Sequence, residues 1–507
     1  MDTLLASLEI LARWDVILAL LSGAVGGVII GAIPGVGPAI AIAILLPATY
    51  AMEPIVGLTL LLGIYGSAMF GGAIPAILIN TPGTPVNALT TYDGYPMTRR
   101  GEAPRALSLA YGASFAGGIF SVVCLILLAP ALAAIAPNFG SREIFMAALL
   151  GMVLVVIAHR GQHMAAGALM CFGVFLATVG FHAGTLTKRY TFDTQMLSSG
   201  IDLIVVVLGL FALSQAFYLL SGKDERTASP KLGKGLFSGL REVMKYPRVV
   251  LPSASFGVIM GIIPGVGEFL AQFFSYTLAQ KTSKKPELFG KGSPEGLIAS
   301  ESANNAVPAA AMIPLLALGI PGEALTAMML SVFYVHNVIP GPRLFQSQPE
   351  FVLALYLALG LLNIIALAFL LGATRPLLKV VEIPNRFLGV GILILSFVGV
   401  YSLRNSITDC GLAAAFGMLG LMLRRLHLPI VPVILGMVLG GIMEDKLRTS
   451  LIRVQSPIDF ISRPIAATIF AIIVIAIAGH FFSLYRARRS ARTAAASSSS
   501  TSEQTSA

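Results

Sequence analysis

Long uncharged apolar runs constrain this chain more than any other feature. They lie near 17–33, 56–74, 106–136, 144–158, 164–182, 201–221, 250–263, 306–318, 324–339, 351–372, 387–403, 410–423, 428–443 and 464–484. Most approach the roughly 20 residues that a helix needs to cross a bilayer. Of the 507 residues 56% are hydrophobic and 11% charged, with a mean hydropathy of +0.85, whereas a soluble chain carries about a quarter charged residues. Most of the surface therefore meets lipid. Alternating ten-residue strands do not occur in the sequence, and lipid offers no partner to an open backbone, so a helical bundle is the remaining solution. The expected fold class is an all-α integral membrane protein of roughly 12 transmembrane or half-spanning helices.

Within this pattern GAIPGVGP, Gly31 to Pro38, returns as GIIPGVGE, Gly261 to Glu268, each after an apolar run. Each half also holds a second helix breaker: INTPGTPVNALT, Ile79 to Thr90, and LGIPGEALT, Leu318 to Thr326. Proline removes a backbone donor and glycine loosens the helix, so these stretches should unwind or begin new half-helices. Irregular backbone at membrane depth survives only when buried in protein or lining a water-filled cavity. Four such elements, two per half, point to one polar cavity between related halves.

The basic residues suggest that the halves run in opposite directions. Pro47 to Gly57 holds no Lys or Arg, while its counterpart carries Lys281, Lys284, Lys285 and Lys291. Further on the contrast reverses, with Arg99, Arg100 and Arg105 in the first half against Arg343 alone in the second. By the positive-inside rule these are alternate sides of the membrane, and the basic start of the tail is cytoplasmic. Lys188 with Arg189, and Lys446 with Arg448 and Arg453, go against the assignment. The expected organisation is a first membrane repeat over 1–222, a basic cytoplasmic linker over 223–248, a second repeat over 249–463, a further helix over 464–485 and a disordered cytoplasmic tail over 486–507.

Around the breaks, Ser67, Asn80, Thr81, Thr84, Asn87, Thr90, Ser302, Asn304, Asn305 and Thr326 offer hydroxyl and amide groups. Half-helix N-termini favour anions by roughly 0.3–2 kcal/mol, and freed carbonyls suit Na⁺. Three acids stand in apolar context, Glu268, Glu301 and Glu323, where each is suited to bind Na⁺ or carry H⁺. No Lys or Arg sits inside the motifs, which favours co-transported cations as counter-charge to an anion. Asp202 and Asp409 stand where helices start and suit capping, and His336 suits an interface or cap. Cys124, Cys171 and Cys410 lie in apolar runs without CxxC spacing and read as small core hydrophobes. The acidic N-terminus does not match a signal peptide's basic leader. The net charge of +10 is spread over loops beside helices, which reports orientation rather than nucleic-acid binding. A membrane-embedded enzyme fits poorly, because no metal-ligand set, Ser/His/Asp arrangement or phosphate loop is seen. GAVGGVIIG instead suits small-residue helix packing. A carrier fits better than a channel.

Four stretches occur in order: GAIPGVGP, YGSAMFGGAIPAILINTPGTPVNALTTYDGYPMTRRGEAPRAL, GIIPGVGE and FGKGSPEGLIASESANNAVPAAAMIPLLALGIPGEALTA. Together they resemble the large membrane subunit of the tripartite tricarboxylate transporters over most of residues 20–345. The resemblance implies secondary uptake of a citrate-like di- or tricarboxylate across a bacterial inner membrane, driven by Na⁺ or H⁺ and with no cofactor. It implies two protein partners, a small four-helix membrane subunit and a periplasmic solute-binding protein, and is compatible with a homodimer. Carried over by position, the substrate and ion elements are Pro34, Gly35 and Gly37; Asn80, Thr81, Pro82, Gly83 and Thr84; Pro264, Gly265 and Gly267; Ser302, Asn304 and Asn305; and Pro321 and Gly322. Glu268 and Glu323 stand where small residues are expected from the resemblance. The alternatives are a stand-alone carrier or exporter of another small organic anion, or a membrane-embedded enzyme.

Overall fold

The computed structural model describes residues 2–159, 161–182, 187–222, 236–264, 267–381, 383–452 and 456–482. The start of the basic linker, Gly265, Arg453 and the expected disordered tail lie outside them. The helices are α1 (Asp2–Ala12), α2 (Trp14–Gly31), α3 (Gly37–Thr49), α4 (Pro54–Ile79), α5 (Thr90–Arg99), α6 (Ala103–Ile135), α7 (Ser141–Ala158), α8 (His163–Thr178) and α9 (Leu203–Ser221). They continue as α10 (Pro247–Ile262), α11 (Gly267–Thr282), α12 (Pro294–Leu318), α13 (Ala324–Val335), α14 (Pro349–Val381), α15 (Asn385–Arg404), α16 (Ile407–Arg425), α17 (Val431–Leu451) and α18 (Pro464–Phe482). The described residues form one sheet, a two-stranded hairpin pairing Gly180–His182 with Thr187–Arg189. Among them nine helices are long and apolar enough to cross a membrane, and α3, α8, α10 and α13 are shorter apolar helices. At 1.5 Å per residue, 16 residues reach about 24 Å, short of a hydrocarbon core of about 30 Å.

Helix α12 spans 25 residues, twelve more than its apolar run of 306–318 suggested. Its first half, with Glu301, Ser302, Asn304 and Asn305, is too polar for lipid and is buried in protein instead. Helix α4 is its counterpart at the centre of the first half, 94% buried over its apolar window, while α18 at 11% lies at the periphery.

Glycines set the register of the centre. Gly23 meets Leu60 and Gly63, Gly27 meets Ile64 and Ser67, and Gly31 meets Ala68, so α2 and α4 climb side by side in the same direction. Their starts are joined by an Arg13–Glu53 ion pair of 2.7 Å. Helix α3 lies between them in sequence and ends at Thr49 beside Gly57, so it must run back down. The GAIPGVGP element is therefore the tip of a hairpin and not a break in one continuous helix. Gly35 and Gly37, at φ of 78° and 65°, make the reversal in a region that L side chains disfavour. The second half repeats the geometry. Gly257 faces Ala303 and Ala306, Gly261 faces Val307 and Ala310, and α11 runs back along α12 with Ser275 Oγ donating to the Ala299 carbonyl. Gly83 and Gly322 then settle against equivalent places, the Gly31 carbonyl with Gly72 and the Gly261 carbonyl with Ala311.

Small residues let these backbones approach closely, as in other membrane helix pairs. A Cβ added at Gly27 would meet the Ile64 carbonyl oxygen at 2.6 Å and Ser67 Oγ closer still, whereas one at Gly26 meets nothing within 4 Å. Gly27→Ala is expected to lower stability by about 1–3 kcal/mol through overpacking, with Gly26→Ala near neutral. Thermal unfolding of the detergent-solubilised protein reads the difference, and equal melting of the two variants would refute this packing.

The halves meet through α5. As α5 advances, its partners on the second half recede from Glu301 (Asn87, Thr90) to Gly292 and Ser293 (Asp93) and then to Lys291 (Arg100). Over the same stretch its neighbours on α4 advance from Met69 to Ile77. The C-terminal end of α4 thus lies level with the N-terminal end of α12, and the two run in opposite directions. The basic Arg100 and Lys291 share this end, as does the short helix Ser238–Val243, whose Glu242 pairs with Arg105 at 2.6 Å. The Arg105 guanidinium holds the Glu242 carboxyl below the usual carboxylate range. At the opposite end His336 reaches the Thr49 carbonyl at 3.3 Å, which fits its interface role. Asp202 caps α9 through the Ile204 amide at 2.8 Å. The discordant basic loops meet each other, with Arg189 paired to Glu444 beside Lys446. Cys124 and Cys410 pack on the core, but Cys171 faces outward from α8, contrary to its expected core role.

Candidate functional site

Three hairpin or break elements turn a helix N-terminus toward one place. Helix α3 begins at Gly37, α11 at Gly267 and α13 at Ala324, and the residues opening each line a single cavity of about 370 Å³. The fourth element contributes Thr84 and Val86. All four breaks, two from each half, therefore border the same space. Such N-termini carry unpaired amides and partial positive charge.

Among the expected site residues, Gly35, Gly37, Thr84, Gly267, Glu268 and Glu323 line the cavity. Glu268 and Glu323 are 7% and 8% exposed, each with Oε1 lacking a hydrogen-bond partner in the structure. Thr326 caps α13, receiving the Glu323 amide at 3.0 Å and donating to the Glu323 carbonyl at 2.9 Å. Gly83 and Gly322 support the cavity from behind, and the Gly83 carbonyl accepts from the Gly35 amide at 3.0 Å, tying the two first-half breaks together. Pro321 is buried beside Gly322. Pro34 and Pro82 are half-buried, and the Pro264 ring packs on Gly151 of α7.

Other expected residues have structural positions away from the cavity lining. Ser67 donates to the Gly63 carbonyl at 2.6 Å and fills the α2–α4 seam. Ser302 donates to the Ala113 carbonyl at 3.2 Å, joining α12 to α6. Asn80 takes a left-handed cap at the end of α4, at φ of 57°, and both it and Thr81 are exposed. Asn304 is fully buried with both side-chain polar atoms unpartnered.

A second polar cluster surrounds Glu301, which does not line the cavity. Its Oε1 accepts from Thr90 Oγ1 at 2.5 Å and Asn87 Nδ2 at 3.3 Å, and its Oε2 from Ser114 Oγ at 2.8 Å and Asn305 Nδ2 at 3.5 Å.

Arg424 is a cavity residue that no sequence motif marks. It lines the cavity from the last turn of α16, with Nη1 on Gln215 Oε1 at 2.6 Å and Nε on Ser214 Oγ at 3.1 Å. Ser214 and Gln215 directly follow a π turn, Leu208–Leu213, which re-aims them within α9. Gln215 also lies against Gly35 at the hairpin tip. In sequence Arg424 is half of an Arg-Arg pair between apolar runs, which signals only orientation. His159 lines the cavity too, its Nδ1 held by the Val155 carbonyl at 2.7 Å.

Over residues 17–435 the chain matches the family described as "Tripartite tricarboxylate transporter TctA family". A protein of Agrobacterium vitis described as "Uncharacterized 52.8 kDa protein in TAR-I ttuC' 3'region" is 34% identical over 451 residues, covering 89% of this chain and 90% of that protein. Another from the same organism, "Uncharacterized protein in TAR-II ttuC' 3'region", is 34% identical over 217 residues, covering 43% of this chain and 90% of that protein. No solved structure matches the chain.

Proposed function

We propose a function from one premise: the chain belongs to the tripartite tricarboxylate transporter TctA family. In this reading it is the large subunit of a bacterial inner-membrane carrier that takes up a citrate-like di- or tricarboxylate together with Na⁺ or H⁺. A periplasmic solute-binding protein delivers the substrate, and a small four-helix membrane subunit completes the carrier. The two halves, 1–222 and 249–463, act as inverted repeats joined by a cytoplasmic linker and followed by a cytoplasmic C-terminus. The opposite courses of α4 and α12 and the matched glycine seams support that arrangement.

One observation carries the reading: all four helix breaks and a half-buried arginine, Arg424, border one cavity of about 370 Å³. Three helix N-termini and a guanidinium form a receptor for carboxylate groups. Glu268 and Glu323 in the same wall would repel that substrate unless each is neutralised, and a proton or co-bound cation at each carboxylate meets this need. Closing and opening of the halves around the cavity would give alternating access.

The energetics set a charge rule. Each elementary charge crossing 100 mV is worth about 2.3 kcal/mol, so an inside-negative potential drives a polyanion inward only when enough cations accompany it to make the net movement positive. In proteoliposomes holding the assembled carrier, an inside-negative potential should accelerate uptake of labelled citrate. Uptake indifferent to the potential and to both cation gradients would overturn this function.

A further inference from the structure

Glu301 is fully buried on α12 and all of its hydrogen-bonding partners are neutral. The titratable groups on the surrounding elements are engaged elsewhere. Tyr111 on α6 bonds to Thr374 at 3.1 Å, Asp93 on α5 binds the Gly292 and Ser293 amides, and Tyr276 on α11 donates to Asp93 at 2.8 Å. Among the described residues no positive charge meets this carboxylate when it is ionised. Thr90 Oγ1 and Ser114 Oγ lie within hydrogen-bond distance of it, and Asn305, which turns Nδ2 to Glu301 and Ser114, keeps a buried Oδ1 without a partner on the same amide. An orphaned buried acceptor beside an uncompensated carboxylate is a place for a small cation.

The cluster is also connected to the cavity. Thr84 Oγ1 donates to Asn87 Oδ1 at 2.5 Å, and Asn87 Nδ2 donates to Glu301 and to the Met69 carbonyl at 3.5 Å. Thr84 and Met69 both line the cavity. A substrate carboxylate that accepts the Thr84 hydroxyl would withdraw it from Asn87 Oδ1, and a turn of that amide would then bring Oδ1 to Glu301 in place of Nδ2 as one more ligand.

We propose that the Glu301 cluster is a coupling site distinct from the substrate cavity, filled by one positive charge as H⁺ or Na⁺, whose affinity rises when substrate takes the Thr84 hydroxyl. This rests on the transport function above. Both cations supply the same chemistry, neutralisation of the carboxylate within a set of hydroxyls and side-chain amides, and gradients imposed singly tell them apart.

The test compares two activities of the assembled carrier in vesicles, with labelled citrate as probe: accumulation driven by an H⁺ or a Na⁺ gradient, and exchange without a gradient. In Glu301→Gln the loss of accumulation should exceed the loss of exchange by about tenfold or more, within the usual span of site-to-site coupling. Ser114→Ala, which keeps the carboxylate, should weaken half-saturation by the driving cation about threefold or more while citrate half-saturation at saturating cation holds. Equal losses of accumulation and exchange in Glu301→Gln, or an unmoved cation dependence in Ser114→Ala, overturns the coupling site and leaves carboxylate transport standing. Absence of citrate uptake by the wild-type carrier under either gradient strikes the transport function itself.

Discussion

Replacing Arg424 with alanine is expected to reduce citrate uptake about 100-fold or more. The side chain is the one arginine or lysine among the described residues that line the cavity, and Gln215 and Ser214 hold it in place. A charge-assisted hydrogen bond is worth roughly 1.5–3 kcal/mol, and a carboxylate left facing Glu268 and Glu323 without it adds repulsion. Arg424→Lys keeps the charge but not the planar fork, so about a tenfold loss is expected. Gln215→Leu removes only the positioning partner and should fall between wild type and Arg424→Ala. Initial rates of labelled citrate uptake, normalised to folded protein by size-exclusion, measure the series. Wild-type rates in Arg424→Ala would remove the arginine from the substrate site.

Asp93→Ala should damage the joint between the halves. The carboxylate joins the halves, accepting from the Gly292 amide at 2.8 Å, the Ser293 amide at 2.7 Å and the Tyr276 hydroxyl at 2.8 Å. Alanine would leave all three donors buried and unpaired, each at a cost of about 1–3 kcal/mol. Asp93→Asn keeps an oxygen for the two amides and should retain most of the function. The expected result is loss of uptake of about tenfold or more in the alanine variant, with maleimide access to the cavity increased from the Arg100–Lys291 face. Equal behaviour of Asp93→Ala and Asp93→Asn would show that geometry at this joint is unimportant.

The bundle and the four breaks are legible in the sequence because both rest on local chemistry: lipid demands apolar helices, and paired Pro and Gly interrupt them. Whether GAIPGVGP is a hairpin tip or a break is not legible there, since either path uses the same residues. That choice is made by glycine seams such as Gly27 on Ile64 and Ser67, which join positions far apart in the chain. Hydropathy shows only the second half of helix α12, because its polar first half faces protein and hydropathy assumes a lipid-facing surface. Ser67 and Ser302 were legible as polar groups near the motifs, but their hydroxyls return to backbone carbonyls within helix seams. Arg424 gave no useful signal, because an arginine ending a helix looks the same whether it faces water or a cavity. Glu301 stood out as an acid in apolar context, yet its partners Thr90, Ser114 and Asn87 are set by tertiary packing.

The central claim is that breaks from both halves surround one carboxylate. Single cysteines placed at Val86 and at Phe269, in a chain whose Cys124, Cys171 and Cys410 are replaced, put a probe on the cavity wall of each half. Citrate should slow maleimide labelling at both positions and leave a cysteine at the exposed Asn80 unaffected. Labelling that citrate slows at Asn80 but at neither Val86 nor Phe269 would contradict the account.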